Sequence, residues 1–436
     1  MYENKKIFVL GMARSGYSVA KLLANKNDIL VVDQAAQDKD KIKELESLGV
    51  KFIQTDKPND YFDNTFDVLI KNPGIMPYHE TVLKANKLAK PVLNEMEVAY
   101  HYLPKEVFII GITGSNGKTT TTTIVYEILK MMKINVVLGG NIGYPLSEIV
   151  PMVNENSVLL LEISDHQLAN FKDFKTNISV ITNIYPTHLD FHGTYENYIK
   201  IKSKIFNHHT KDDLAILNYT NEDSRKTYKN ILSKKLFFNS KQSYVAKDGT
   251  IIINGREIIN INDIKIKGLH NYENIMAALL VINYFGINKK IIYDVLNNFN
   301  GVEHRIEFVK EENGVKYYND SKATNPTSTI VALKSFKDPI HLILGGMERK
   351  QDFHELDNYI KNVKVIYAIG EVSTRITDYA NQMKIECKEC KTLQKAMEEV
   401  KKSVKEKEIV LLSPASASWD QYDKFEDRGN EFKLLC

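Results

Sequence analysis

The chain carries Val107-Phe108-Ile109-Ile110-Gly111 shortly before Gly114-Ser115-Asn116-Gly117-Lys118-Thr119. The apolar run predicts a buried strand, and the glycines predict a turn that leads into a helix. In such a turn, backbone N–H groups and the positive end of the helix converge on one point. Lys118 can then reach a terminal phosphate, and the Thr119 hydroxyl can hold Mg²⁺. Because Ile112 replaces a glycine of the strict P-loop pattern, the motif is a variant. An ordinary strand-to-helix turn is the alternative.

Length and composition limit the classes of protein that need to be considered. The 436 residues suggest two to four domains, and 43% hydrophobic residues are ample for packed cores. With 58 basic and 55 acidic residues the net charge is +3, so no nucleic-acid partner is predicted. Three cysteines argue against a disulfide-stapled secreted protein. No apolar run approaches the ~20 residues of a membrane span, and no signal peptide is evident. We expect a cytoplasmic monomer that acts on small molecules.

Apolar runs alternate with helical patterns along most of the chain, which predicts the α/β class with parallel sheets. We expect three domains: 1–97, Rossmann-like; 98–301, a central P-loop-type ATPase domain with a mostly parallel sheet; and 302–436, Rossmann-like. A hairpin-like segment is predicted at 243–261. The predicted strands include Ile7–Leu10, Ile29–Asp33, Val158–Leu161, Ile178–Thr182, Lys316–Tyr318, Ile340–Leu344, Val365–Ile369 and Ile409–Leu412.

The first predicted strand ends in Gly11-Met12-Ala13-Arg14-Ser15-Gly16, and the second ends at Asp33. A glycine turn after one strand and an acid after the next are typical of dinucleotide binding, with the acid on a ribose. The same pattern suits any nucleotide or nucleotide-sugar, and it also occurs in plain α/β turns. On these residues alone the three interpretations stay open.

Glu162 ends the apolar run Val158–Leu161, beside the phosphate loop. A carboxylate at this position commonly orients Mg²⁺. His188 and Asp190 follow the next strand, and all strands of a parallel sheet end at one edge, so we expect these side chains to lie near one another. A solvent-facing carboxylate and a structural histidine are the alternatives.

Lys202 falls within the predicted helix 198–206. At about 100° per residue, the apolar residues of this helix form one arc, and Lys202 lies in the middle of it. A lysine aimed inward must be paired, neutralised or chemically altered, because burying a bare ammonium is costly. A lysine that snorkels at the rim of the core is the alternative.

Polar clusters also lie beside the predicted strands of the last third of the chain. The carboxyl ends of such strands are where α/β sheets bind ligands. Each cluster alone could be capping chemistry, but together they predict a second binding edge. The clusters are Glu303–Arg305, Asn319–Asn325, Gly345–Asp352 and Ser413–Ser418.

Together these motifs resemble the Mur ligase family over essentially the whole chain, and within it the group that adds D-glutamate. Thr113–Thr119 resembles the family's ATP loop, and Gly268–Asn274 resembles the segment whose asparagines hold the nucleotide. The subgroup rests on Asn319–Pro326 and Ser413–Gly429. The resemblance implies an N-terminal nucleotide-sugar domain, a central ATPase domain and a C-terminal domain that binds the amino acid.

The resemblance implies an ATP-dependent amide-forming ligase of peptidoglycan precursor synthesis. ATP would phosphorylate the terminal carboxylate of UDP-N-acetylmuramoyl-L-alanine, and the amine of D-glutamate would attack the acyl phosphate. The implied cofactors are ATP and two Mg²⁺ ions. Lys202 falls on the family's lysine that CO₂ converts to a carbamate. Lys118, His188 and Lys202 would be the catalytic residues.

The resemblance also assigns the binding residues. ATP would be held by Gly114, Ser115, Asn116, Gly117, Lys118, Thr119, Thr120, Asn271, Asn274, Arg305 and Asp320. The UDP substrate would be held by Arg14, Ser15, Asp33, Asn72, Gly74 and Asn141. D-glutamate would be held by Lys322, Thr324, Arg349, Ser418 and Phe425. The metal ions would be held by Thr119, Glu162, His188 and the carbamate of Lys202.

Four residues depart from the family's pattern. Asp165-His166 stands where Ser-Phe is common, Thr187 stands where an acid is frequent, and Trp419 replaces a smaller apolar residue. These departures concern the metal site and the pocket rather than the reaction.

Three other functions compete with this interpretation. A folylpolyglutamate synthase-like ligase shares the ATP loop, but no pterin-binding pattern is apparent and Asn319–Asn325 counts against it. An NAD-dependent dehydrogenase would explain Gly11–Gly16 and Asp33 but leaves Lys118 and Lys202 unexplained. A non-catalytic nucleotide switch would turn over ATP without an acceptor.

Overall fold

The structure, a computed structural model, describes residues 2–227 and 231–436. The predicted α/β class is confirmed, and the chain divides into two compact units, Met1–Phe299 and Asn300–Cys436. The predicted boundary at 97/98 falls inside the first unit, so the three-domain division stays a prediction. Across the described residues, the structure contains no helix that is both long and apolar enough to cross a membrane.

The N-terminal part of the first unit forms a parallel sheet in the order β3-β2-β1-β4-β5. Ile7 and Val9 pack on one face of β1, and Phe8 and Leu10 pack on the other, because helices cover both faces. The loop after β1 lies where the strand order reverses, which is a typical ligand position. The strands are β1 (Lys6–Leu10), β2 (Asp28–Asp33), β3 (Lys51–Gln54), β4 (Val68–Lys71) and β5 (Val92–Leu93); the helices are α1 (Arg14–Leu23), α2 (Lys39–Ser47), α3 (Glu80–Lys87) and α4 (Glu95–Tyr100).

The rest of the first unit is built on a second parallel sheet, in the order β11-β10-β9-β6-β8-β7. Here β6 lies between β8 and β9, so the loop after β6 is at the switch point of this sheet. The strands are β6 (Phe108–Thr113), β7 (Val136–Gly140), β8 (Val158–Glu162), β9 (Ile178–Ile181), β10 (Leu214–Asn218) and β11 (Lys234–Phe238). The helices are α5 (Lys118–Met131), α6 (Leu146–Ile149), α7 (Asp165–Leu168), α8 (Leu189–His192), α9 (Tyr195–Ser203), α10 (Glu222–Lys226), α11 (Leu269–Phe285) and α12 (Lys289–Asn298).

The predicted hairpin-like segment is a small antiparallel sheet in the order β12-β13-β14. Its strands are β12 (Ser243–Val245), β13 (Thr250–Ile253) and β14 (Arg256–Asn260). The predicted helix 198–206 also differs in detail, because α9 ends at Ser203 and a 3₁₀ turn covers Lys204–Phe206. Thr194 caps the start of α9 by accepting from the Asn197 N–H.

The second unit has a sheet in the order β15-β16-β20-β17-β18-β19, parallel except for the β15–β16 pair. β20 returns between β16 and β17, so the loops after these three strands share one edge. The strands are β15 (Glu307–Glu312), β16 (Val315–Asn319), β17 (Ile340–Gly345), β18 (Val363–Ile369), β19 (Glu386–Lys391) and β20 (Ile409–Leu412); the helices are α13 (Pro326–Lys334), α14 (Ser373–Met383), α15 (Leu393–Ser403) and α16 (Phe425–Leu435).

Candidate active site

The phosphate loop joins β6 to α5 at the switch point of the central sheet. Gly114 and Gly117 have φ angles of +147° and +80°, which L side chains rarely adopt. A Cβ on Gly114 would lie 1.9 Å from Thr182 Oγ1, and one on Gly117 would lie 2.1 Å from Asn274 Oδ1. Both glycines are therefore required by backbone conformation and by space.

Asn183, which follows β9, holds the loop in place. The Ser115 N–H donates to the Asn183 backbone carbonyl at 2.9 Å, and the Asn116 N–H donates to the side-chain oxygen of Asn183 at 2.9 Å. The Lys118 ammonium donates to the carbonyls of Gly114 and Ser115 at 2.9 and 3.2 Å, so it lies over the loop. The first N–H groups of α5 have no acceptor within the helix and carry its positive end. The loop thus offers the donors that a phosphate group requires.

The other predicted nucleotide residues of the first unit lie on two helices. Thr119 is buried and Thr120 is partly exposed in the first turn of α5. Asn274, on α11, lies against Gly117, as the Cβ distance above requires. Asn271 lies one turn earlier, and its side-chain amide donates to the Lys267 carbonyl at 2.9 Å. The structure therefore brings Asn274 to the loop and ties Asn271 to its own segment.

Glu162 ends β8 and pairs in register with Ile112 of β6. Its side chain is buried, and Oε1 accepts a hydrogen bond from Asn141 Nδ2 at 2.7 Å. Among the residues that the structure describes, nothing hydrogen-bonds to Oε2, which is also buried. Leaving a buried carboxylate oxygen without a partner is costly. A cation bound beside the phosphate loop would satisfy this oxygen.

Asp165 is the centre of a cluster of imidazoles next to Lys202. Its Oδ2 lies 2.9 Å from His188 Nδ1 and 2.7 Å from His192 Nε2. The same oxygen lies 3.3 Å from His166 Nδ1, and Oδ1 lies 3.3 Å from Lys202 Nζ. Burial alone would raise the pKa of Asp165, but the hydrogen bonds from His188 and His192 and the charge of Lys202 hold it well below its usual range. Asp165 is therefore an anion at neutral pH.

Lys202 connects this cluster to the phosphate loop. Its side chain is 0% exposed, and Nζ donates to Thr113 Oγ1 at 3.1 Å and to the Gly114 carbonyl at 3.0 Å. Burial, with a contribution from the charge of Lys118, lowers the pKa of Lys202 to about 7, although Asp165 opposes the shift. The predicted inward direction of this lysine is thus observed, and its amine is partly neutral at physiological pH.

A short helix positions the cluster. Ser164 and Gln167 form a reciprocal capping box at the start of α7, which fixes the turn that carries Asp165 and His166. His188 has φ of +51° and is the N-cap residue that precedes α8. These elements line a cleft of about 280 Å³ together with the phosphate loop; its lining residues are Pro73, Gly74, Lys118, Asn141, Ser164, Asp165, His166 and His188.

The loops after β1, β2 and β4 surround a second cavity, of about 440 Å³. Asp33, Asn72 and Gly74 line it, and so do Tyr78 and His79; that this cavity holds the UDP group stays a prediction. The Asp33 carboxylate accepts from the N–H groups of Met12 and Ala35 at 2.5 and 2.8 Å, so it also orders the loop after β1. Gly74 lines both cavities and therefore lies between them.

Arg14 and Ser15 lie in the first turn of α1. The Arg14 guanidinium donates to the Gly143 carbonyl at 2.7 Å, and it lies over the Tyr144 ring at 4.5 Å. Ser15 is partly buried beside it. Arg14 thus links α1 to the glycine-rich loop that carries Asn141.

In the second unit, Asp320 follows β16 and is buried. Its Oδ2 accepts from the Ser413 hydroxyl at 2.6 Å, and Oδ1 accepts from the Ile306 N–H at 3.2 Å. Burial raises the pKa of Asp320 to about 7, although the charge of nearby Arg305 opposes the shift. Asp320 thereby holds the loop that carries Arg305.

The residues predicted to hold D-glutamate form two cation–aromatic pairs in the second unit. The Lys322 ammonium lies over the Phe425 ring at 5.8 Å, and the Arg349 guanidinium lies over the Trp419 ring at 5.5 Å. Of the other residues predicted to hold D-glutamate, Thr324 is partly exposed and Ser418 is buried. The Phe425 backbone carbonyl accepts a hydrogen bond from the Ser321 hydroxyl.

Several supporting residues were missed by the sequence reasoning. Asn183 and Thr182 hold the phosphate loop, and His192 holds Asp165. In the second unit, Arg428 is buried and donates to Ser321 Oγ at 3.0 Å and to the Ser416 carbonyl at 3.1 Å. Each of these side chains bonds a loop that is distant in the sequence, and no spacing pattern signals such contacts.

Comparisons with known proteins agree with this geometry. The Mur ligase middle domain matches residues 112–282, and the Mur ligase glutamate ligase domain matches residues 304–416. The chain is 40% identical to a UDP-N-acetylmuramoylalanine–D-glutamate ligase of Geobacillus sp., over 99% of this chain and 97% of the relative. It is 39% identical to the enzyme of the same name from Staphylococcus haemolyticus, over 99% and 96%.

Solved structures share the fold at lower identity. The UDP-N-acetylmuramate-alanine ligase MurC of Thermotoga maritima matches with a TM-score of 0.61 and 18% identity, over 98% of each chain. The MurF ligase of the same organism, solved with ADP, matches with a TM-score of 0.56 and 20% identity, over 99% of this chain and 98% of that one. By its two matched domains and its full-length relatives, the chain belongs to the Mur ligase family.

Proposed function

We propose that this chain joins D-glutamate to UDP-N-acetylmuramoyl-L-alanine at the expense of ATP, a step of peptidoglycan precursor synthesis. The full-length relatives that carry this activity in their names support the substrates. The observation that carries the chemistry is the buried Glu162 carboxylate beside the phosphate loop, with one oxygen lacking a partner among the described residues. Because ATP and UDP-linked precursors are cytoplasmic, the proposal includes a cytoplasmic location.

The residues around the loop fit Mg²⁺. The Glu162 carboxylate and the Thr119 hydroxyl are oxygen donors, which Mg²⁺ prefers. These two residues would hold the ion, and Asn141 would hold Glu162 in place through its 2.7 Å hydrogen bond. The ion would neutralise charge on the terminal phosphates of ATP.

The Lys202 amine fits carbamylation in one respect, because only a neutral amine reacts with CO₂ and burial lowers its pKa to about 7. A carbamate there would face the Asp165 carboxylate, which lies 3.3 Å from the amine in this structure. Two neighbouring anions require a cation between them. The proposal therefore couples the Lys202 carbamate to a second divalent ion that His188 would also bind.

The protein's part in the reaction is to position two anions and neutralise them. Lys118 and the first N–H groups of α5 hold the terminal phosphate as it passes to the substrate carboxylate. Gly74, which lies between the two cavities, and Asn141 guide the substrate from the 440 Å³ cavity to the cleft. The amine of D-glutamate then attacks the acyl carbon and the amide C–N bond forms. Phosphate leaves with the former carboxylate oxygen, and the nitrogen releases a proton to solvent.

The amino acid would be bound by the second unit. Arg349 and Lys322 are cations beside aromatic rings, which suits the two carboxylates of D-glutamate. Thr324, Ser418 and Phe425 would complete that pocket. Arg305, Asp320 and Asn271 are proposed as nucleotide contacts, and Ser15, Arg14 and Asp33 as contacts of the UDP group.

Phosphate release with different acceptors tests the proposal. With ATP, Mg²⁺ and UDP-N-acetylmuramoyl-L-alanine, we expect release with D-glutamate and little with L-glutamate, D-alanine or a diamino acid. Preference for a diamino acid would overturn the proposed acceptor. Equal ATP turnover without any acceptor would favour the nucleotide switch, and binding of NAD in the 440 Å³ cavity would favour the dehydrogenase.

A further inference from the structure

Asp165, His166 and His188 bring three metal-binding atoms together in the cleft. These atoms all lie within 4.8 Å of one another. Asp165 Oδ2 is 2.9 Å from His188 Nδ1 and 3.3 Å from His166 Nδ1. Adjacent ligands of an ion at about 2.1 Å lie roughly 3.0 Å apart in octahedral geometry and about 3.4 Å apart in tetrahedral geometry. Each imidazole nitrogen therefore already stands at ligand spacing from the shared carboxylate oxygen, and all three atoms lie close enough together to reach one ion.

We propose that these three residues form a two-histidine, one-carboxylate site that binds a first-row transition ion in preference to Mg²⁺. Imidazole nitrogen is a favoured ligand of Co²⁺, Fe²⁺ and Zn²⁺, whereas Mg²⁺ selects oxygen and keeps its waters. The inference rests on the proposed function, since the ion would share the cleft in which the ATP-dependent reaction takes place.

The surroundings of the three residues suit a site that an ion can enter. The exposed fraction of the side chain rises from 3% at Asp165 to 25% at His166 and 49% at His188. His192 is 0% exposed and contacts Asp165 Oδ2 from within the protein at 2.7 Å. A hydrogen bond of this kind, made behind a metal ligand, fixes the orientation of that ligand. The carboxylate is thus anchored from the core, and the two imidazoles border the cleft.

The two carboxylate oxygens of Asp165 face different partners. Oδ1 lies 3.3 Å from Lys202 Nζ, whereas Oδ2 is the oxygen that the imidazole nitrogens of His166 and His188 approach, so Oδ2 is the one that could share an ion with them. Glu162 offers only oxygen and lies at the end of β8 beside the phosphate loop. An oxygen-only position, suited to Mg²⁺, therefore lies at the end of β8, and a nitrogen-rich position, suited to a transition ion, lies in the cleft.

Titration of the metal-stripped, full-length protein with Co²⁺ tests the inference, using calorimetry and visible absorption, which reports nitrogen ligands. We expect a site that Co²⁺ occupies in the presence of a 100-fold excess of Mg²⁺. In His166→Phe, the affinity of that site should fall at least about tenfold and its absorption should change. The phenyl ring keeps the edge contact with Phe191, whose centroid lies 4.2 Å from that of His166.

His101→Phe is the matched control, because Glu97, His101 and Asp173 are a second group whose ligand atoms lie within 4.8 Å. This variant should leave the His166-dependent site unchanged. Asp165→Ser should also lose the site, and circular dichroism should check its fold because Lys202 loses its partner. Unchanged Co²⁺ binding in folded His166→Phe, or displacement of Co²⁺ by equimolar Mg²⁺, would overturn the inference.

Ligase assays separate this inference from the proposed function. Amide formation with D-glutamate but no Mg²⁺-resistant Co²⁺ site would refute the inference alone. A Co²⁺ site that depends on His166, without amide formation under any metal, would refute the proposed reaction and leave the metal site standing.

Discussion

Replacing Glu162 with glutamine separates metal binding from folding. Glu162 and Glu97 are both buried glutamates of the first unit, but their partners differ. Glu97 accepts from the N–H groups of Lys172, Asp173 and Phe174 at 2.7–3.2 Å. One oxygen of Glu162 has no partner among the described residues. The same substitution should therefore have different effects at the two positions.

The magnitudes follow from these contacts. In Glu97→Gln, a carboxylate that accepts three N–H groups becomes a neutral amide, which should cost about 2–4 kcal/mol of unfolding free energy. In Glu162→Gln, the hydrogen bond from Asn141 can persist and a buried charge disappears. The metal-free variant should therefore keep its stability or gain up to about 2 kcal/mol.

Ligand-induced stabilisation supplies the second half of the prediction. Mg²⁺-ADP at 100 times its Kd should stabilise the wild type by about 2.7 kcal/mol. If loss of the Glu162 carboxylate weakens binding about 30-fold, the same concentration stabilises Glu162→Gln by only about 0.9 kcal/mol. At roughly 2 °C per kcal/mol, the melting shift falls from about 5 °C to about 2 °C.

Differential scanning calorimetry with and without Mg²⁺-ADP measures both quantities, and ADP with EDTA separates the ion from the nucleotide. Glu97→Gln should melt at a lower temperature and keep the ligand-induced shift. If metal-free Glu162→Gln is destabilised like Glu97→Gln, or keeps the full shift with Mg²⁺-ADP, Glu162 is a structural carboxylate and the reasoning is wrong.

Three further predictions concern other parts of the chain. Ligase activity should fall at least about 100-fold in Lys202→Ala, and added short carboxylates should restore part of it by supplying the anionic oxygen of the lost carbamate. Full activity of the variant without added carboxylate would contradict the proposed role of the carbamate. Arg349→Ala should raise the KM for D-glutamate roughly 10- to 100-fold and that for ATP little. Because the guanidinium lies over the only tryptophan, Trp419, D-glutamate should also change the fluorescence of the wild type and not of the variant. Burial raises the pKa of Asp320 to about 7, so above about pH 4 the folded protein keeps a proton that the unfolded chain has lost. The contribution of this carboxyl group to stability therefore falls as the pH rises from about 4 to about 7. The free energy of unfolding of Asp320→Asn, relative to that of the wild type, should therefore rise by on the order of 3–4 kcal/mol between pH 4 and pH 7.5. Urea unfolding followed by Trp419 fluorescence measures this difference, and a difference that does not change with pH would refute the raised pKa.

The fold was predictable where strands are buried on both faces. Val158–Leu161 is wholly apolar because β8 lies inside the sheet, and the observed strand differs only by including Glu162. Lys51–Gln54 and Lys234–Phe238 were not predicted. Both are edge strands that mix lysine with apolar residues, so their pattern resembles that of a loop.

The candidate site was predictable in part. The direction of Lys202 follows from helical periodicity, and the shared edge of a parallel sheet follows from topology. Its partner Asp165 lies 37 positions away, and only the packed structure brings the two together. Asp165 and His166 were noted only as departures from a pattern. The missing partner of Glu162 Oε2 is likewise a property of packing, which no spacing of residues encodes.

Isotope transfer tests the central claim most directly. If the substrate carboxylate attacks the terminal phosphate of ATP at the loop after β6, UDP-N-acetylmuramoyl-L-alanine labelled with ¹⁸O in that carboxylate will pass one labelled oxygen to each phosphate released. Mass spectrometry of the phosphate should find that label whenever D-glutamate is joined. Unlabelled phosphate accompanying normal amide formation would contradict the account.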